Sequence, residues 1–259
     1  MIKLLEINPQ QEKEKIVTFL KETFKKQHIN QAVIGLSGGI DSTTSFFLLK
    51  EVLPAENIHV AHMYYFRPVF SDIEKEVRIA GMPPENIHLL SIKKAVDNIV
   101  KLQKIEMDEK GKIRLGNIAA RIRMIILFDI AKKVNGLVVG TENKSENLLS
   151  YFTRFGDQAS DIEPIEHLYK TQVYQLAKYL GVPDVLLDQT PTAGLWYGQT
   201  DEGQFGFSYE EADQVLYLHL EQNKSVEEIE QQGFSNAKKI LTWHKQNLFK
   251  HNVPYVLNK

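Results

Sequence analysis

The sequence predicts an α/β fold: a parallel sheet with helices on both faces and a helical C-terminal region. Three observations carry this. Up to residue 140, short runs rich in aliphatic and β-branched residues alternate with longer amphipathic stretches. Those short runs are apolar on both faces, as strands buried between two helical layers must be. Beyond Gly140 the strand signal stops, and loop and helix signals share the rest of the chain.

Taken in order, Asn8 to Gln27 places Ile16, Phe19, Leu20 and Phe24 at helical spacing and predicts the first helix. "QAVIGL", from Gln31, predicts a short buried strand ending in a glycine turn. Asp41 to Leu53, with Phe46, Leu48 and Leu49, predicts the next helix, closed by Pro54. "NIHVAHMYY", from Asn57, is a second strand, Ser71 to Ala80 a short charged helix, and "NIHLLSI", from Asn86, a third strand. Helices over Lys94–Lys104 and Arg114–Val134 lead to a fourth strand at Gly136–Gly140.

The stretch "TENKSENLLSYFTRFGDQASDIEPIEHLYK" is polar, carries aromatics and has no strong period. An ordered loop of that length is uncommon unless it has a function. Tyr169 to Leu180 predicts a helix ended by Gly181 and Pro183. Val185 to Phe207 is a Gly/Pro/Gln-rich connector in which Trp196 and Tyr197 suit either core or lid, the flanking glycines favouring a lid. Two or three helices complete the chain.

Composition narrows the chemistry. The length suits one domain over residues 1–259. A net charge of −2 gives no global basic field, so a nucleic-acid partner is not expected and any polyanion must meet local cations. The chain has no cysteine, which removes disulfides, thiolate metal sites and a cysteine nucleophile. No apolar stretch reaches membrane-spanning length and the N-terminus lacks a signal-peptide core, so a cytoplasmic protein without a membrane partner is expected.

The glycine turn "GLSGGIDS" follows the first strand and opens a helix. Gly38 and Gly39 let backbone N–H groups turn inward on an anion, and the helix N-terminus adds its positive end. Asp41 would repel phosphate unless a cation lies between them, and Mg²⁺ performs that bridging. The plain alternative is a strand–turn–helix with Asp41 as a helix-capping acid. Ligands in such sheets sit beyond the strand C-termini, where both this turn and Gly140 fall.

"GLSGGIDS" resembles the pyrophosphate loop of the N-type ATP pyrophosphatases, whose fold is adenine nucleotide alpha hydrolase-like and Rossmann-related. Three further stretches resemble one family within that group, the ammonia-dependent NAD synthetases. They are "GNIAARIRM" from Gly116, "GTENKSENLLSYFTRFGDQASDIEPIEHLYKTQV" from Gly140 and "PTAGLWYGQTDE" from Pro191. The resemblance implies ATP contacts from Gly35, Leu36, Ser37, Gly38, Gly39, Ile40, Asp41, Ser42, Thr141, Lys170 and Thr192. It implies Mg²⁺ held by Asp41 and Glu146, with Asp41 and Lys170 acting in catalysis. It assigns Arg121, Arg154, Asp161 and Lys250 to deamido-NAD, and implies a homodimer with substrate at the interface. Glu142, Asn143 and Lys144 receive no definite role, and the strand histidines His59, His62 and His88 need no ligand role.

The chain departs from the family pattern in three places. Arg154 stands where lysine is more usual, Phe249 stands where a histidine precedes Lys250, and "MYYFRPVFSDIEKE" is shorter and more aromatic than its counterpart. The implied reaction has two steps: the nicotinate carboxylate of deamido-NAD is adenylated by ATP, and ammonia then displaces AMP. With no cysteine and no room before Ala32, no glutaminase domain is expected, and the nitrogen donor is free ammonia or ammonia supplied by a separate protein.

Overall fold

The computed structural model describes residues 4–66, 71–189, 192, 198–251 and 253–257. Strands β1 (Ala32–Gly35), β2 (Ile58–Tyr64), β3 (Ile87–Ser91) and β4 (Leu137–Val139) form one parallel sheet in the order β3-β2-β1-β4. Ala32 pairs with Ile58 on one side and Leu137 on the other. The chain therefore moves outward from β1 through β2 to β3, then crosses back to place β4 on β1's free side. That reversal opens a crevice at the C-terminal ends of β1 and β4, where open α/β sheets bind ligands.

Both sheet faces are covered, as the apolar runs require. Helices α1 (Pro9–Gln27), α2 (Ile40–Leu49) and α7 (Lys170–Tyr179) bury Ile16, Leu20, Phe46 and Val173 against Ile34 and Val60. On the opposite face α4 (Lys93–Leu102) and α5 (Glu109–Val134) bury Val96, Ala119 and Ile130 against Val33 and Ala61. Successive residues of β1 and β2 thus point to opposite cores, as the pleat dictates. Helix α3 (Ser71–Ile79) connects β2 to β3.

A third apolar cluster holds the C-terminal region together. It joins Leu149 of α6 (Lys144–Leu149), Phe205 of α9 (Asp201–Phe205), Tyr209 and Leu216 of α10 (Tyr209–Leu220), Ile229 of α11 (Val226–Gln231) and Leu241 of α12 (Ala237–Asn247). The short α8 (Asp184–Leu187) packs under the first core through Leu186.

Three expectations change. The fifth helix begins at Glu109, not Arg114, because Asp108 accepts the Gly111 N–H at 2.7 Å as its cap. The second helix ends at Leu49 rather than Leu53, with Lys50 as its C-cap. The stretch after Gly140, read as loop, contains α6, and the connector from Val185 contains α9 and most of α8.

The strand histidines are structural. His59 and His88 stack at 5.8 Å, His59 Nε2 lies 3.2 Å from Gln31 Oε1, and His62 Nδ1 lies 2.8 Å from the Leu36 carbonyl. Burial pushes all three below the ordinary value of 6.5, with Lys133 adding at His59 and His88 and Arg123 at His62. The unfolded chain therefore binds more protons than the native one as the pH falls through 6.5, so their contribution to stability is lost on acidification. Buried carboxyls with raised values act in the opposite sense, so the informative comparison is between variant and wild type. His59→Gln/His88→Gln is expected to show a shallower fall in thermal midpoint between pH 7 and pH 5 by scanning calorimetry.

Candidate active site

The glycine turn is held by its own hydroxyls. Gly38 adopts φ +94°, a region that favours glycine. Ser37 Oγ accepts the Gly39 N–H at 3.1 Å, Ser42 Oγ accepts the Ser37 N–H at 3.3 Å, and the two hydroxyls lie 3.0 Å apart. Ser42 also donates to the Gly39 carbonyl at 3.0 Å, and Thr43 does so at 2.9 Å. Gly39 caps α2 without a side chain, so the first-turn N–H groups have no side-chain acceptor. An anion would complete them.

Asp41 does not cap that helix. Its Oδ1 accepts from Asn143 Nδ2 at 2.8 Å and its Oδ2 from Lys170 Nζ at 2.5 Å. The same ammonium reaches Glu146 Oε1 at 3.1 Å. Residues 102 and 129 positions along the chain from Asp41 are thereby gathered into one cluster.

Local chemistry explains the positioning. Asn143 and Glu146 form a capping box on α6: Asn143 Oδ1 accepts the Glu146 N–H at 3.0 Å, and Glu146 Oε2 faces the Asn143 N–H at 3.5 Å. One oxygen of Glu146 and the amide nitrogen of Asn143 remain to face the cluster. Lys170 opens α7, and its N–H is taken by Ser145 Oγ at 2.7 Å. Ser145 in turn donates a short hydrogen bond to Asp213 of α10, which also accepts the Thr171 N–H at 2.9 Å. Lys170 is 2% exposed and its Nζ lies 5.2 Å from the Tyr209 ring, so it is no surface lysine.

Burial pushes the Glu146 carboxyl up to about 8; Lys170 opposes the shift and Asp41 adds to it. Burial would lower the Lys170 ammonium, but Asp41 and Glu146 override it and hold the group well above its ordinary value. Lys170 therefore stays charged, while Glu146 holds a proton at neutral pH that a bound cation would displace. A hard divalent cation suits this donor set: Asp41 and Glu146 offer oxygen only, from the first turns of two helices. No cluster of three or more potential metal-ligating side chains occurs among the described residues, so a cation here would draw its other ligands from water and phosphate.

The remaining predicted residues fall in two groups. Thr141 lies two residues beyond β4, after Gly140, and is half-buried, and Thr192 is exposed. Trp196 and Tyr197, read as a lid, lie outside the described residues, as do residues 67–70 of the divergent segment.

Around the loop after α6, Arg121 Nε donates to the Arg154 carbonyl at 3.3 Å, and the Arg154 guanidinium lies 5.5 Å from the Phe249 ring. Phe249 thus supports the arginine across a cation–π contact. Lys250 donates to the carbonyls of Ser150 at 2.8 Å and Phe152 at 3.0 Å, and burial lowers its pKa. His251, the neighbour of the missing histidine position, contacts Ser150 Oγ at 2.8 Å. Asp161 stands apart from these cations, with Oδ2 accepting the Val138 N–H at 2.8 Å on the edge of β4.

Sequence reasoning left Asn143 without a role and missed Ser145, Asp213 and Tyr209. Asn143 had a readable signal, the N-x-x-E capping box; the others are recognisable only from their partners across the fold.

The model of the family described as NAD synthase matches residues 12–254. An NH(3)-dependent NAD(+) synthetase of Fusobacterium nucleatum is 39% identical over 254 residues, which is 97% of this chain and 97% of that one. Among solved structures, an NMN synthetase from Francisella tularensis superposes with a TM-score of 0.82 at 31% identity, covering 98% of this chain and 100% of that one. An NH3-dependent NAD synthetase from Campylobacter jejuni gives 0.77 at 31% identity, covering 97% and 100%.

Proposed function

The chain belongs to the NAD synthase family, and we propose that it converts deamido-NAD to NAD⁺ with ATP and ammonia, releasing AMP and pyrophosphate. The observation that carries this reading is the meeting of Asp41, Glu146 and Lys170 beside an uncapped glycine turn at the β1/β4 crevice.

In this reading Gly35, Leu36, Ser37, Gly38, Gly39, Ile40 and Ser42, with Thr141 and Thr192, hold ATP, and Asp41 and Glu146 hold Mg²⁺. Bound there, Mg²⁺ would neutralise the triphosphate and withdraw charge from the bond to be cleaved. Lys170 donates to the departing pyrophosphate, where negative charge builds. Arg121, Arg154, Asp161 and Lys250 orient deamido-NAD so that its nicotinate carboxylate faces the α-phosphate.

The carboxylate oxygen attacks that phosphorus, the P–O bond to pyrophosphate breaks, and the resulting acyl-adenylate has AMP as leaving group. Ammonia then forms the C–N bond as the bond to AMP breaks. No protein nucleophile takes part; positioning and charge neutralisation do the work. In this reading ammonia itself is the donor, as in the name of the Fusobacterium relative.

The reading treats residues 1–259 as a single synthetase domain without a glutaminase. It includes a homodimer seated on α5, which leaves Ile113 and Ile125 exposed. No helix among the described residues is long and apolar enough to cross a membrane. The joint need for ATP and Mg²⁺ suits a cytoplasmic enzyme.

Incubating the protein with ATP, Mg²⁺, deamido-NAD and ammonium is expected to give NAD⁺ and AMP in equal amounts by chromatography. Formation of ADP, or absence of NAD⁺, would refute the reading. A parallel reaction with nicotinic acid mononucleotide tests the activity named for the Francisella neighbour. Faster turnover there would reassign the substrate to the mononucleotide.

A further inference from the structure

Asp213 of α10 is fully buried, and the reaction written above leaves it unused. Its two oxygens go to neutral donors rather than to a cation. Oδ1 accepts the Ser145 hydroxyl, and Oδ2 accepts the Thr171 N–H at 2.9 Å. Ser145 Oγ also accepts the Lys170 N–H at 2.7 Å. Tyr169 makes no side-chain cap on α7, so the first-turn N–H groups of that helix are taken by α6 and α10.

Burial pushes Asp213 up to about 6, opposed by its bonds to Ser145 and Thr171 and by the Lys170 charge, so it is ionised at neutral pH. A serine or an asparagine could accept a backbone N–H without desolvating a charge. A carboxylate adds two acceptors with no competing donor, and a negative charge at the positive end of α7. Both act where Lys170 opens the helix.

The same face of α10 presents a second group. Tyr209 lies one turn before Asp213, and its ring stands 5.2 Å from the Lys170 ammonium. Helix α10 thus meets the side chain of Lys170 with Tyr209 and its main chain with Asp213. Ser145 immediately precedes Glu146 in α6. One hydroxyl therefore sets the register between Lys170 and Glu146, whose side chains meet at 3.1 Å. The ammonium is engaged by Asp41 and Glu146. To reach a departing pyrophosphate it must swing away from both, and a fixed main chain keeps that swing short.

We propose that Asp213 is a positioning residue for the adenylation step, acting through Ser145 and the first turn of α7 to place Lys170 and Glu146. The inference rests on the function proposed above and gives the helical C-terminal region a part in it. Helix α10 is anchored in the third core by Ala212, Val215 and Leu216, and it carries the brace that aligns residues across the crevice. Asp213 itself touches no reacting atom.

The test follows NAD⁺ formation by the full chain carrying Asp213→Asn, per folded protein and below its thermal midpoint. Asparagine keeps the shape, loses the charge and turns a donor toward Ser145 or Thr171. The kcat is expected to fall about ten- to a hundredfold, with the KM for ATP and for deamido-NAD within about twofold of wild type. Exchange of pyrophosphate into ATP, which needs deamido-NAD but no nitrogen donor, is expected to fall by the same factor. A wild-type kcat, a loss confined to KM, or fully retained exchange would overturn the proposal. Absence of NAD⁺ formation by the wild type would count instead against the synthetase reading.

Ser145 keeps the proposal open to refutation should Asp213→Asn fail to fold. Ser145→Thr retains the hydroxyl, and Ser145→Val has the same shape without it. The threonine variant is expected to turn over about ten times faster than the valine variant. Equal kcat values would overturn the brace. In the double variant Asp213→Asn/Ser145→Ala, turnover is expected to match that of the slower single variant, because both changes break one link. Losses that multiply would show that the two residues act separately, and would also overturn it.

Discussion

Asp41→Asn is expected to lower Mg²⁺-dependent NAD⁺ formation by roughly 10²–10³-fold while leaving the fold almost intact. Both oxygens of Asp41 are engaged, one by Asn143 and one by Lys170. An asparagine keeps one acceptor and turns an amide donor toward the other partner, so one of the two contacts is lost. The ionic balance moves the other way. The wild-type cluster sets two carboxyl groups against one ammonium, with Glu146 holding a proton at neutral pH; once the Asp41 charge is removed, Glu146 can ionise and take over the pairing with Lys170.

Stability therefore has little reason to fall, while the charge that would hold a divalent cation is halved. Rates measured against Mg²⁺ concentration, together with urea unfolding, separate the two effects. Parallel losses in activity and stability would mean that Asp41 is a structural acid.

Lys170→Met is expected to reduce turnover on a similar scale, about 10²–10³-fold, because the proposed mechanism makes Lys170 the donor to the departing pyrophosphate. Here the fold pays as well. Removing one partner from a buried ion pair costs roughly 3–5 kcal/mol when the remaining charge is stranded. Glu146 limits that loss, since a carboxyl already raised to about 8 readily takes up a proton. The variant should thus be less stable without metal and gain more from added Mg²⁺ than the wild type does. Equal Mg²⁺ stabilisation of both proteins in thermal melts would contradict this role for the lysine.

Much of the frame was readable from local sequence. The runs Gln31–Leu36, Asn57–Tyr65, Asn86–Ile92 and Gly136–Gly140 each contain a strand one residue shorter at either end. Buried parallel strands announce themselves through uninterrupted apolar runs. Helix α6 did not, because six residues are too few to show a period; its capping box and its bonds to Leu168 and Trp243 hold it instead. The start of α5 was hidden in the charged, glycine-containing stretch Glu109–Lys112, which has no apolar stripe.

For the site, the conflict between Asp41 and a phosphate-binding turn was enough to suggest a cation. The resemblance pointed to Glu146 and Lys170, and the fold brings both to Asp41. The Ser145–Asp213 brace had no such signal. It joins residues that are ordinary in their own segments and become meaningful only once α6, α7 and α10 converge.

Strand β4 lies at an open edge of the sheet, where unpaired backbone groups invite another chain to add itself. Here the segment around Asp161 covers that edge. Val138 gives its N–H to the Asp161 side chain and receives the N–H groups of Asp161 and Ile162, while Gly140 donates to the Ile162 carbonyl. The stretch that carries Asp161 to the crevice is thus also the guard against edge-to-edge aggregation. In the proposed reading Asp161 also orients substrate, so any change that frees the segment would expose a sticky strand and loosen that contact together, and solubility and activity would rest on the same few hydrogen bonds.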